Sequence, residues 1–243
     1  MRTLKEKYRM LLEETDISYI RNIHDTIAWN ERLIAIIGSR GVGKTTMVLQ
    51  HIKLHEDTKS SLFVFADDIW FSTHTILELA DEFYKDGGKA LFIDEIHRFS
   101  KSQQDSLLGA VEKGVVTLIG ATTENPSFEV IRPLLSRCQV YVLKSLEKDD
   151  LLKLVHNAIE TDVFLKERDF RIEETEAMLR YSGGDARKLL NILELLYEST
   201  PAGETIVINN DVVYDRLQQN PLAYDKDGEM HYDIISAFIK SIR

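Results

Sequence analysis

The sequence holds a single cysteine, Cys138, among 243 residues, which rules out an intrachain disulfide and any zinc site built on several thiolates. That scarcity fits a reducing compartment, and a cytoplasmic location is the expectation. No apolar run approaches the roughly 20 residues that a bilayer-spanning helix needs, so no membrane partner is expected. The N-terminal stretch MRTLKEKYRMLLEETD is charged throughout and lacks the apolar core of a secretory signal. An excess of positive charge is missing too. The formal net charge of −10 argues against coating nucleic acid by bulk electrostatics, while leaving room for a local basic patch or an assembled ring. Low-complexity tracts and internal repeats are absent, so disorder and solenoid architectures are not expected.

What is present is a change of period. Tyr8, Leu11, Leu12, Tyr19, Ile20, Ile23 and Ile27 recur at helical intervals, so residues 1–30 read as one or two helices leading into a core. Short apolar runs follow at Leu33–Ile37, Leu62–Ala66, Ala90–Ile93, Val115–Ala121 and Val140–Leu143, each suited to a strand buried on both faces. Helical stretches at Lys44–Leu54, Thr75–Tyr84, Ser102–Lys113 and near Val130–Leu135 lie between them. The alternation predicts an α/β fold over residues 31–144, with a parallel five-stranded sheet and helices on both faces. Ligands of such sheets bind at the C-terminal strand ends, where the polar motifs fall.

Beyond Ser145 the strand signal fades. Leu151, Leu154, Val155, Ala158 and Ile159 mark one helix, Glu173–Tyr181 a second, and Asp185 caps a third with Leu189, Leu190, Ile192, Leu193, Leu196 and Tyr197 facing inward. Residues 145–200 thus read as a small all-helical lid. Residues 201–243 read as a linker, with a loop at Pro201–Glu204, and the start of a truncated helical domain ending in the amphipathic run Ile234–Ile242.

Gly38-Ser39-Arg40-Gly41-Val42-Gly43-Lys44-Thr45 fits the pattern GxxxxGK[ST], directly follows an apolar run and opens a helical segment, the context a phosphate-binding loop requires. Its glycines let successive N–H groups, through Thr46, surround phosphates at a helix N-terminus. Lys44 brings a point charge to the β and γ phosphates, and the Thr45 hydroxyl and Asp94 are the expected Mg²⁺ ligands. ATP and Mg²⁺ are therefore the expected cofactors. Leu91-Phe92-Ile93-Asp94-Glu95 ends an apolar run in two carboxylates, the second suited to polarising an attacking water. Thr122 and Thr123 end another run, either to orient that water or as an ordinary strand-to-loop turn. Arg137 reads either as a reach to a neighbouring subunit's γ-phosphate or as a surface ion pair, and Arg187 as a lid contact or a solvated helix residue. Asp67 and Asp68 suit helix capping. His97 is a candidate nucleotide sensor with no second ligand at metal spacing to make a zinc site.

Together these motifs resemble the AAA+ superfamily. The runs LFIDEIHRFSKSQQDSLLGAVEKG (91–114), TLIGATTENPSFEV (117–130), LLSRCQVYVL (134–143), GGDARKLLN (183–191) and YDKDGEMHYDIISAFIKSIR (224–243) resemble the replication-associated recombination protein A family. That resemblance implies a P-loop NTPase core of the AAA+ type under a helical lid. It implies Asp94 and Glu95 as the Walker B pair, Thr122 as sensor 1, Arg137 as an arginine finger acting in trans and Arg187 as sensor 2. It also implies DNA at stalled or gapped replication forks as the partner, alongside single-strand-binding protein. Residues 1–90 resemble a different group of bacterial P-loop ATPases through IAWNERLIAIIGSRGVGKTTMVLQHI and FADDIWFSTHTILELADEFYKDGGKALFIDE, so the chain reads as a fusion at the Walker B strand. The family continues into a helical domain that supports tetramers. Here the chain stops at Arg243, so that assembly domain is expected to be missing and a homo-oligomer is left open by the resemblance. The alternative is a nucleotide-dependent switch or interaction module that regulates a protein partner, with little DNA involvement.

Overall fold

The protein is seen here as a computed structural model, which describes residues 1–112, 117–123 and 130–219. The run Ile234–Ile242, the 224–243 resemblance, residues 124–129, Lys113 and Val115–Val116 lie outside the described residues. Two compact units divide between Ser145 and Leu146.

The first unit begins with α1 (Arg2–Glu14), which buries Leu4, Tyr8 and Leu12, a stripe spaced four apart. Its Tyr8 hydroxyl pairs with Ser61 Oγ at 2.7 Å, which places α1 over the edge strand β2 (Ser61–Phe65). The remaining strands, β1 (Leu33–Ile37), β3 (Ala90–Asp94), β4 (Thr117–Thr122) and β5 (Gln139–Val142), complete a five-stranded parallel sheet in the order β2-β3-β4-β1-β5. The register sets Ile37 beside Thr122 and Ile93 beside Gly120. The loop that follows β1 and the polar residues that end β3 and β4 therefore emerge at one level. That level, rather than the sheet as a whole, is what positions a site.

Helices α2 (Lys44–His55), α3 (Ile76–Lys85) and α4 (Lys101–Glu112) connect the strands, and one turn, α5 (Arg132–Leu135), precedes β5. The ends of α3 follow from local chemistry. Thr75 and Glu78 form a reciprocal capping box at its start. At its end Gly87, with φ of +86°, donates to Tyr84 O and Gly88 to Phe83 O, a Schellman closure. Asp68 caps the short 3₁₀ turn Ile69–Ser72 by accepting from Trp70 N–H, in line with the capping expected of it. Strands β1 to β4 are buried almost throughout, as their apolar runs predict. β5 corrects that expectation: Val140 is 45% and Val142 57% exposed. An edge strand paired, among the described residues, with β1 alone has no reason to be covered on both sides.

The second unit carries α6 (Lys148–Thr161), α7 (Glu176–Ser182), α8 (Ala186–Ser199) and α9 (Asn210–Gln219) around a core of Leu151, Val155, Met178, Leu189, Leu193 and Val213. The Asp185 side chain caps α8 by accepting from the N–H groups of Arg187 and Lys188. One feature departs from an all-helical lid. Two three-residue strands, β6 (Phe170–Ile172) and β7 (Ile206–Ile208), pair in parallel. Runs this short carry too little period-2 signal to stand out. Through β7 and α9, residues 206–219 join the core of this unit, with Ile206, Ile208, Val213 and Leu217 buried.

Candidate nucleotide site

β1 runs into the loop at residues 38–43 and the loop into α2, so the first helical amides face the C-terminal end of the sheet. Gly41 and Gly43 take φ of +73° and +87°, a left-handed backbone that side chains resist. Gly38 is required for a different reason. A Cβ there would stand 2.8 Å from the Leu143 carbonyl oxygen and 2.9 Å from Val42 Cγ2. Its N–H donates to Thr122 O at 3.3 Å and fastens the loop to β4. Ser39, Arg40 and Thr46 are exposed, while Val42 is buried as the loop's anchor. Lys44 is buried, and its Nζ donates to the carbonyls of Gly38 at 2.9 Å and Ser39 at 3.0 Å.

The Thr45 hydroxyl donates to Asp94 Oδ2. Asp94 is only 3% exposed and accepts on Oδ1 from the Glu95 N–H at 3.0 Å. Burial raises its carboxyl above the usual range, with the Thr45 hydrogen bond opposing. A dehydrated carboxylate beside a hydroxyl is the kind of oxygen pair that a hard cation relieves, so Thr45 and Asp94 suit Mg²⁺ by their chemistry. Glu95 is the one non-glycine residue with positive φ among the described residues, at +56°, a conformation that costs about 1–2 kcal/mol. Its carboxylate accepts from Thr123 Oγ1 at 3.1 Å and lies 3.2 Å from His97 Nδ1. The same His97 nitrogen is 2.9 Å from Thr122 Oγ1. Glu95, His97, Thr122 and Thr123 thus form one polar network beside Asp94.

Arg137 stands apart from that network. Its guanidinium pairs with Glu112 at 3.0 Å and donates to Pro133 O at 2.9 Å, with the side chain about half exposed. Arg187 lies in the first turn of α8, in the second unit. Cys138 offers no nucleophile, because burial pushes its thiol up to about 12. One residue escaped the sequence reading. Arg21 donates to Val42 O at 2.6 Å and Lys144 O at 2.9 Å, tying the segment before β1 to the loop at residues 38–43 and to the stretch just after β5. A lone arginine between a helix and a strand carries no pattern that would have revealed it.

The chain matches known families on these same residues. The family model for an AAA domain matches residues 30–152, half of the chain, and that for an AAA C-terminal domain matches residues 166–243. A replication-associated recombination protein A from Coxiella burnetii is 37% identical over 228 residues, covering 91% of this chain and 49% of that protein. That alignment crosses residue 90, so sequence on both sides of the expected junction aligns with one relative. The ATPase WRNIP1 of Dictyostelium discoideum is 34% identical over 231 residues, covering 86% of this chain and 26% of that protein. The chain spans about half the length, or less, of these relatives. Among solved structures, the Thermotoga maritima RuvB Holliday junction branch migration motor superposes with a TM-score of 0.66 at 20% identity, over all of this chain and 77% of that one. A likeness at that identity shows the fold, a parallel sheet of the P-loop AAA+ type. With the AAA domain model covering half of the chain and recombination-protein homologues aligned over most of it, the chain belongs to the AAA+ ATPase family.

Proposed function

We propose that this chain is an Mg²⁺-dependent ATPase that acts on DNA in replication-fork maintenance, recombination or repair. The observation that carries the reading is the convergence of Lys44, Thr45, Asp94, Glu95 and Thr122 at one level of the sheet. The amides from Gly38 to Thr46 bind the phosphates, and Lys44 exchanges the Gly38 and Ser39 carbonyls for phosphate oxygens. Thr45 and Asp94 hold the metal. Mg²⁺, when bound, neutralises charge developing on the phosphate oxygens. Glu95 polarises the attacking water, a general-base role worth about 10²–10⁴ in rate. Thr123 and His97 aim that carboxylate, and Thr122 faces the γ-phosphate as sensor.

Arg137 serves as a finger in trans, exchanging Glu112 for a neighbouring subunit's phosphate, and Arg187 acts as the sensor from the lid. A homo-oligomer follows from that role of Arg137. Forked or gapped DNA and single-strand-binding protein are the proposed partners, and the cytoplasm the proposed location. Support for the DNA partner comes from the likeness to a replication-associated recombination protein and to the ATPase WRNIP1. Among the described residues, no helix is long and apolar enough to cross a membrane.

Steady-state ATP turnover with and without forked DNA bearing a single-stranded gap tests the proposal. Turnover stimulated several-fold by the DNA is the expected result. Turnover that DNA leaves unchanged would remove the DNA reading, and tight ATP binding without turnover would favour the nucleotide switch.

A further inference from the structure

Three histidines far from the polar network converge on one point. His51 and His55 sit one turn apart on α2, and His24 sits on the 3₁₀ turn Asn22–Thr26 before β1. One ring nitrogen from each lies within 4.8 Å of the other two. His51 is separated from Lys44 by seven residues of helix, about 10 Å along its axis, so the cluster is distinct from the nucleotide site.

The hydrogen bonding around the pair His24 and His51 poses a chemical problem. Asp25 Oδ1 lies 3.0 Å from His24 Nδ1, which favours the tautomer with its proton there. Glu56 Oε1 lies 3.4 Å from His51 Nε2, favouring the proton on that nitrogen, although the nitrogen is buried without a hydrogen bond of proper geometry. Both choices leave bare lone pairs on His24 Nε2 and His51 Nδ1, which face each other at 3.3 Å. Two lone pairs at that distance repel unless a cation lies between them. A zinc-class ion with metal–nitrogen bonds of about 2.0–2.1 Å in a tetrahedral site sets its ligand nitrogens about 3.3–3.4 Å apart. A carboxylate on the remote nitrogen of each ligand histidine is also the outer shell that such sites use to orient imidazoles.

The cage is held from outside. The Trp29 indole stacks on His51 with centroids 3.8 Å apart and an interplanar angle of 9°, and its N–H donates to His24 O at 3.0 Å. His24 and His51 are buried, whereas His55 at the helix end is exposed and can turn its ring inward. We propose that His24, His51 and His55 form a binding site for a divalent transition metal of the zinc class, which clamps the segment before β1 to the helix that follows the phosphate loop. Imidazole donors select this class of ion over Mg²⁺ or Ca²⁺. The proposal does not rest on the ATPase reading.

Co²⁺ is the probe, titrated into the chelator-treated, nucleotide-free full chain without an affinity tag. The expected result is a tetrahedral visible absorption band that saturates at about one equivalent per chain and is abolished by Zn²⁺. A Zn²⁺ excess of about a hundredfold over Kd should raise Tm by about 5–10 °C. His55→Ala, at an exposed position, should weaken Co²⁺ binding at least tenfold while keeping the metal-free Tm. Asp25→Asn, also exposed, should weaken it by about 10–100-fold. Absence of the band, or a Co²⁺ affinity unchanged in His55→Ala, would overturn the proposal and leave the histidines as a stacked, proton-sharing cluster.

Discussion

Gly38 and Gly109 are both glycines of the first unit, and the structure predicts opposite outcomes for the same added methyl group. At Gly38 the new Cβ would meet Leu143 O at 2.8 Å, Val42 Cγ2 at 2.9 Å and Leu143 Cβ at 3.1 Å. Two of these contacts belong to the residue that follows β5, where Leu143 N–H donates to Ile37 O at 2.7 Å, so little room exists to yield. Overpacking of this kind costs about 1–3 kcal/mol, which for a chain of this size lowers Tm by about 2–12 °C. The shift also moves the Gly38 amide away from Thr122 O, and ATP affinity should fall by about tenfold, or about 1.4 kcal/mol. At Gly109, inside α4 and facing open space, Gly38→Ala has its counterpart in Gly109→Ala, which should gain about 0.8–1 kcal/mol of helix propensity and raise Tm by about 2–4 °C. Calorimetric melting of both variants, with ATP binding by titration calorimetry, checks the pair. A Gly38→Ala chain with wild-type Tm and ATP affinity would refute the close approach as the reason for this glycine.

Asp94→Asn tests the buried carboxylate. Because burial raises its carboxyl, the folded chain keeps a proton at pH values where the unfolded chain has lost it. That contribution to stability is complete below the ordinary value of 3.8 and fades as pH rises through the raised one. The amide lacks this dependence, so the variant should melt above wild type at about pH 7 and lose its advantage towards about pH 4, while turnover is abolished; a gap that does not change with pH would contradict it. Arg21→Ala removes the hydrogen bonds to Val42 O and Lys144 O and should weaken ATP binding roughly tenfold, with turnover at saturating ATP unchanged. A fall in saturated turnover would assign Arg21 a different part. Thr75→Ala breaks the capping box of α3 and should lower stability by about 1 kcal/mol in thermal melts, with ATP affinity untouched; no loss would mean that the cap is satisfied by water.

What the sequence determined by itself is local. The loop at residues 38–43 is legible because its geometry lies within one strand, one turn and one helix start, and each is set by neighbouring residues: the apolar run Leu33–Ile37, the left-handed Gly41 and Gly43, and Lys44 opening α2. The acidic pair was legible for the same reason, as the end of an apolar run. The capping of α8 by Asp185 followed from side-chain chemistry one turn long. Tertiary structure decided the rest. That β4 lies between β1 and β3, bringing Thr122 to the loop and to His97, depends on pairing between segments far apart in the chain, which no local propensity encodes. The exposure of β5 follows from its place at the sheet edge and not from its apolar residues. β6 and β7 exist only because each finds the other across the chain, and Arg21 matters only because Val42 and Lys144 are folded against it. The spacing of His51 and His55 could be read along one helix, but their meeting with His24 could not. Burial assembles that cluster from both sides of β1, by packing surfaces whose partners a sequence does not name.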